Sequence, residues 1–274
     1  MEVDTKENEY EKRVEFEESD ELKAIDEKIK NNPKNTDLYI EKGLELRKTR
    51  HFREAIYVYS VGLTYDPFKC LLYRHRGHAY VNIGRYEEAA ADFLMGTRLD
   101  PSNWDCWYHL GLSYHLLGDF KRAKEAYESC WQISYDGDSK IACADWHYMT
   151  CLKLGLKEEA YKYVNQIDKD IEFDDDFSGA YYRRVMSYKG VLDPKQVLED
   201  ALKKDDHVFA TSTYGLAVTY EANGNLDKAM EIYHLIEEKD KLWPGFAEHA
   251  THQRLHVWER KGVLWRNYWL YYLR

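Results

Sequence analysis

Residues 70–101 read CLLYRHRGHAYVNIGRYEEAAADFLMGTRLDP, and their spacing decides the fold. Tyr73, Gly77 and Tyr80 stand at i, i+4 and i+7, so two bulky side chains and one small one share a helical face, and a second helix can approach closely at the glycine. Gly84 ends that first helix. The second helix carries Ala89, small for the same reason, and one turn on Phe93, expected to fill the space between hairpins. Asp100-Pro101 then separates this hairpin from the next. A hairpin built this way leaves an apolar face uncovered and is stable only against neighbours of its own kind.

Such neighbours lie 34 residues away on either side. Pro33, Pro67 and Pro101 repeat at that interval, as do Ala55, Ala89 and Ala123, and a period of 34 means stacked helical hairpins. The unit before is TDLYIEKGLELRKTRHFREAIYVYSVGLTYDP (36–67) and the unit after is WDCWYHLGLSYHLLGDFKRAKEAYESCWQISYDG (104–137). All three resemble tetratricopeptide repeats, whose signature W-x2-L-G-x2-Y, then Ala, an aromatic and Pro, falls on Tyr73, Gly77, Tyr80, Ala89, Phe93 and Pro101. In the third unit it falls on Trp107, Leu110, Gly111, Tyr114, Ala123 and Tyr127, and in the first on Tyr39, Gly43, Leu46, Ala55, Tyr59 and Pro67. Lys42 and Arg76 depart from the Leu position. Further on, Gly155 and Ala160 mark a fourth hairpin, with the loop SYDGDSK taking up three extra residues. Tyr181, Tyr188 and Asp193-Pro194 mark a degenerate fifth, with Asp193 as N-cap, and Leu216, Ala217, Tyr220, Gly224, Ala229 and Tyr233 mark a sixth. The resemblance implies an all-α, right-handed superhelical solenoid of about six antiparallel hairpins. The expected organisation is an acidic tail and capping helix over 1–34, the repeat array over 35–242, and a capping helix with an aromatic tail over 243–274.

Composition agrees with a folded, acidic protein. Among 274 residues, 39 Lys and Arg face 49 Asp and Glu, a net charge of −10, and 15% of the chain is aromatic, which excludes wholesale disorder. The charge is uneven. Residues 1–33 hold 12 acidic and 6 basic side chains, while 245–274 hold 5 basic and 2 acidic. Leu22, Ile25 and Ile29 give DELKAIDEKIK (20–30) the spacing of a single capping helix. The acidic balance speaks against a nucleic-acid partner, which needs concentrated Lys and Arg. No stretch approaches the roughly 18 apolar residues of a membrane span, and the N-terminus lacks a signal-peptide core, so a cytoplasmic location is expected. Five dispersed cysteines without a C-x-x-C pair suggest neither disulfides nor a zinc module.

No nucleotide-binding, nucleophile-elbow, zincin or EF-hand motif is present, and no cofactor is expected. Repeat solenoids offer a long concave face, so the expectation is a non-catalytic scaffold or adaptor that binds a peptide or protein segment there. The first helix of each hairpin is expected to line that groove with Ile40, Leu44 and Arg47; Arg74 and His78; Tyr108, Leu112 and His115; then Tyr182 and Tyr214. Some relatives clamp acidic chaperone tails with Lys, Asn and Arg. The matching positions here are Ile40, Leu44, His75, Asp105 and His109, so that clamp is missing. Two alternatives remain: a regulator that senses a short peptide, and a metal- or pH-responsive face built from His249, His252 and His256 at i, i+3 and i+7. The acidic run Asp168–Asp176 lacks the central glycine of a calcium loop and reads as a solvated turn. The closing VLWRNYWLYYLR is expected to cap the solenoid, to dock in a groove, or to self-associate.

Overall fold

The computed structural model describes residues 16, 18–173, 176–239 and 245–258, and for 176–178 the backbone alone. The expected N-terminal tail, Pro244, the aromatic tail 263–274 and two carboxylates of the acidic run, Asp174 and Asp175, lie outside the described residues. Within them all regular structure is helical, and no helix is long and apolar enough to cross a membrane. They fall into two compact units that divide after Ser113.

In the first unit α1 (Asp20–Asn31) packs on α2 (Thr36–Lys48), α2 pairs with α3 (Phe52–Tyr65), α3 packs on α4 (Cys70–Asn82), and α4 pairs with α5 (Tyr86–Leu99). The helix α6 (Trp104–Leu116) begins the third hairpin. The capping helix α1 starts on Ser19, whose side chain accepts from the Leu22 N–H, and it buries Leu22 and Ile25. The small residues act as the spacing requires, with one difference of detail. A Cβ on Gly43 would stand 2.1 Å from Cε1 of Tyr59, and one on Gly77 would stand 2.9 Å from Cζ of Phe93. The glycine therefore admits the ring of its own hairpin, and Phe93 also stacks on His109 of the next one with centroids 5.4 Å apart, so the ring fills space within and between hairpins. The two departures from the Leu position are ion pairs. Lys42 reaches Asp26 on α1 at 2.5 Å, and Arg76 forks onto both oxygens of Asp92 at 2.7 Å while donating to Ser60 at 2.9 Å.

The bulky residue of the signature also makes a hydrogen bond that recurs with the period. Tyr39 donates its hydroxyl to the Pro33 carbonyl (2.9 Å), Tyr73 to that of Pro67 (3.1 Å), and Trp107 its indole N–H to that of Pro101 (2.9 Å). Each ties the break between hairpins to the helix that follows and contributes about 0.5–1.5 kcal/mol. The turn inside the hairpin repeats too: Gly84 (φ 73°) and Gly118 (φ 76°) are left-handed, and at the equivalent place in the first repeat the chain uses Arg50 (φ 66°).

The second unit takes up the end of α6 and adds α7 (Phe120–Gln132), α8 (Gly137–Lys153), α9 (Lys157–Val164), α10 (Asp176–Tyr188), α11 (Pro194–Ala201), α12 (Asp206–Ala222), α13 (Leu226–Lys239) and α14 (Phe246–His252), which runs on as a π-helical turn over Gln253–Trp258. The pairs α8–α9, α10–α11 and α12–α13 are the fourth, fifth and sixth hairpins. Asp193 caps α11 through the Lys195 N–H with Pro194 as first helical residue. Part of the expected SYDGDSK loop is helix instead, because Asp136 and Ser139 form a reciprocal capping box that starts α8 at Gly137.

Three first helices, α8, α10 and α12, all pack on one another. Residues 141–153 of α8 and 209–218 of α12 are buried without interruption, the condition of a helix enclosed on every side. The last described turn completes the enclosure. Trp258 is fully buried against Phe120, and Arg254 donates to Glu221 at 2.7 Å.

Candidate functional site

The first unit carries the more open of the expected linings. Leu44 is exposed, and Arg47, Arg74 and His78 are half-buried, while Ile40, Tyr108 and Leu112 are buried. Tyr108 stacks on Trp104 with centroids 4.7 Å apart. The polar members converge on Asp105, at the start of α6. Arg74 donates Nε to its carboxylate, His78 donates Nε2 to the same oxygen at 3.0 Å, and His109 Nδ1 lies 3.3 Å from the other while donating to the Asp105 backbone carbonyl at 2.8 Å. Burial pushes the Asp105 carboxyl up, but His109 and His78 outweigh it and hold the group well below the usual carboxylate range. His78 is held down to about 3 by burial and by its neighbour His109, so it is neutral at pH 7.

Arg47 on α2 lies beside the Tyr59 hydroxyl and near enough to Arg74 and Asp105 for their charges to act on it. Burial lowers its pKa, yet a guanidinium stays charged in any protein. Its Nε is buried with no hydrogen-bond partner among the described residues, and the same holds for His75 Nδ1. Burial, then Arg74 and Arg47, holds His75 at about 4. Among the described residues, the guanidinium groups of Arg47 and Arg74 thus both act on the Asp105 carboxylate, with His75 and His78 neutral beside them. Sequence reasoning named Arg47, Arg74 and His78 but passed over Asp105 as more than a failed clamp position. The 31-residue step from Arg74 to Asp105, just short of one repeat, was the signal that pairs them.

In the second unit the expected lining is interior. His115 and Tyr214 are fully buried and joined by a 3.2 Å hydrogen bond, and His115 is also bonded to Thr150 at 2.8 Å. Trp146, Phe120 and Trp258 ring that imidazole at 5.2, 5.1 and 5.9 Å. These two residues do not line an open surface, because the chain's own C-terminal turn covers them. Tyr182 is half-buried and spends its hydroxyl on the Lys169 carbonyl at 2.6 Å. Beneath lies a fully buried ion pair of Asp145 and Arg184, with Tyr188 donating to the carboxylate at 2.9 Å, and a second network in which Lys153 meets Glu221 at 2.5 Å.

The C-terminal histidines separate. His249 is buried, and burial and then His252 hold it at about 3. His252 and His256 stay together, with ring centroids 4.8 Å apart, and Glu237 of α13 takes the third place beside them. His78, Asp105 and His109 form another group with donor atoms near enough to share an ion, but there Arg74 already holds the carboxylate.

Comparison with known proteins agrees with the repeat geometry. Residues 77–118 match the family described as TPR repeat, and residues 105–136 match that described as Tetratricopeptide repeat. The heat-shock protein cognate co-chaperone sgt12 of Aspergillus fumigatus is 33% identical over 90 residues, 33% of this chain and 26% of that protein. The Hsp70-Hsp90 organizing protein of Triticum aestivum is 26% identical over 109 residues, 40% of this chain and 18% of that one. The chain thus spans about a quarter or less of the length of these relatives. Among solved structures, a tetratricopeptide repeat protein from Parabacteroides merdae aligns with TM-score 0.55 at 15% identity over 84% of this chain and 90% of its own. YrrB, described as a TPR protein with an unusual peptide-binding site, aligns with TM-score 0.51 at 21% identity over 84% of this chain and 98% of its own. At those identities the likeness is one of fold.

Proposed function

Because the chain is a tetratricopeptide-repeat protein, we propose that it is a non-catalytic interaction module whose first unit holds an acidic segment of a partner protein against α2, α4 and the start of α6. The observation that carries the reading is the imbalance at Asp105. Arg47 and Arg74 bring two fixed positive charges to one carboxylate, and the Arg47 Nε–H is buried without an acceptor. A glutamate, aspartate or C-terminal carboxylate from a guest would supply the missing charge and acceptor, and charge-assisted bonds of this kind are the strong ones. The exposed Leu44, one turn before Arg47 on α2, offers an apolar anchor beside the charge. His78 and His75, both neutral at pH 7, leave the two arginines as the charged donors.

The relatives among the co-chaperones support a protein partner, and their printed functions come to this chain only as part of the proposal. Five free thiols suit a cytoplasmic setting. The reading is tested with an array of acidic and charge-neutral peptides probed with the full chain. Binding concentrated on the acidic peptides, lost in Arg47→Glu and kept in Arg122→Glu of the second unit, supports it. Equal binding by folded Arg47→Glu sinks it.

A further inference from the structure

The cluster of His252, His256 and Glu237 belongs to the second unit and has a different chemistry from the acidic-segment site proposed for the first. His252 ends α14 and His256 sits one turn on in the π-helical segment, so both imidazoles leave the same side of that turn. Glu237 comes from the last turn of α13, which packs against α14. His256 donates Nε2 to Glu237 Oε1, and one donor atom from each of the three residues lies within 4.8 Å of the others. His234, one turn earlier on α13, stands 3.8 Å from Oε2.

We propose that His252, His256 and Glu237 bind a divalent zinc ion that pins the C-terminal turn onto α13. Zinc takes imidazole nitrogen and carboxylate oxygen at about 2.0–2.2 Å in a tetrahedron, which places donor atoms about 3.4 Å apart. To take up an ion the His256–Glu237 hydrogen bond opens and His252 completes the set from a donor atom within 4.8 Å of both. Two histidines from one helical turn and a glutamate from a neighbouring helix give three ligands and leave a fourth position, which water fills. The ion replaces the proton that His256 now shares with Glu237, as metal binding requires.

Two further observations favour this cluster over the group at Asp105. The ligands are held from behind: Arg254 and Trp258, on either side of His256 in sequence, are buried and hydrogen-bonded to Glu221 and to the Leu116 carbonyl, while Tyr233 and Ile236 anchor α13. They also face water, for the side chains of Glu237 and His256 are 39% and 44% exposed, so an ion can enter without unfolding. At Asp105 a cation would meet the Arg74 guanidinium. The widened π turn that carries His256 fits the same conclusion, since such turns are frequent at functional sites.

The experiment is a zinc titration of the metal-stripped full chain by calorimetry, with thermal unfolding followed in parallel. The proposal expects saturable uptake of one ion, a raised melting temperature, and loss of both in His252→Ala, His256→Ala and Glu237→Gln, each with unchanged circular dichroism. His78→Ala keeps both. Cobalt binding with the intense visible absorption of a tetrahedral site reports the geometry independently and vanishes in the same three variants. Absence of saturable zinc uptake by the wild type, or uptake that persists in folded His252→Ala and His256→Ala, overturns the proposal.

Discussion

Trp258 donates its indole N–H to the backbone carbonyl of Leu116, 3.2 Å away and 142 positions earlier in the chain. Leu116 closes α6, so its carbonyl is one of the four that a helix end leaves without an internal partner. The same ring packs edge-on against Phe120, with centroids 5.3 Å apart. The C-terminal turn thus completes the end of the α6 helix in the second unit. Trp258→Ala is expected to destabilise the second unit by about 3–5 kcal/mol, measured by urea unfolding. Trp258→Phe retains the ring packing but not the hydrogen bond, and should recover most of that loss.

Asp145 and Arg184 are both fully buried, and Arg184 Nε and Nη1 have no hydrogen-bond partner among the described residues. A buried pair is poor evidence of stability, but half of one is worse. Asp145→Ala leaves a naked guanidinium and is expected to cost about 3–5 kcal/mol, whereas Asp145→Leu with Arg184→Met should be near neutral. Denaturant melts of the single and double variants distinguish the two outcomes directly.

His115 titrates against the fold. Burial, and then the charge of Lys153, holds it at about 3, well under the ordinary 6.5. A group depressed in the folded state contributes its full stability above pH 6.5, and that contribution drains away as pH falls from 6.5 towards 3, because the unfolded chain takes the proton that the folded one refuses. One such histidine steepens the loss by up to about 1.4 kcal/mol per pH unit. His115→Gln should flatten the fall in unfolding free energy between pH 6.5 and 4.5 by up to that slope, whatever it does to stability at pH 7.

The first repeat offers a pair of backbone tests. At Gly43 a methyl group would fall 2.1 Å from the Tyr59 ring, so Gly43→Ala is expected to cost about 1–3 kcal/mol through overpacking. At Arg50 the opposite holds. A residue with a Cβ pays about 1–2 kcal/mol for the left-handed region, and glycine gives back about 0.5–1 in unfolded-state entropy, so Arg50→Gly should gain about 0.5 kcal/mol. Thermal melts of the two variants move in opposite directions.

Why these elements were legible and others were not follows from what a period can encode. Proline, glycine and alanine at intervals of 34 report backbone breaks and close approaches, and these marked the first three hairpins, while the later ones were read from looser echoes of the pattern. Tyr214 and His115 lie on a face that periodicity marks as inner, but spacing cannot say whether solvent, a guest or the chain's own end will cover it. Here Trp258 does. Glu237 was missed beside His252 and His256 for a similar reason, since it comes from α13 and they come from α14 and the turn after it, and no local spacing records that meeting. Asp145 and Arg184 are 39 residues apart, and no local spacing pairs them.

The bond from Tyr39, Tyr73 or Trp107 to a proline carbonyl spans six residues and stays inside one junction. Each of the first three hairpins therefore brings its own hinge. Excising one whole repeat, residues 68–101, would splice Pro67 to Ser102 and leave Trp107 the same six positions beyond a proline carbonyl. An excision shorter or longer by one residue would rotate the following helix by about 100° and misplace the donor. The first three repeats are editable in units of 34, and a single residue more or less breaks their junctions.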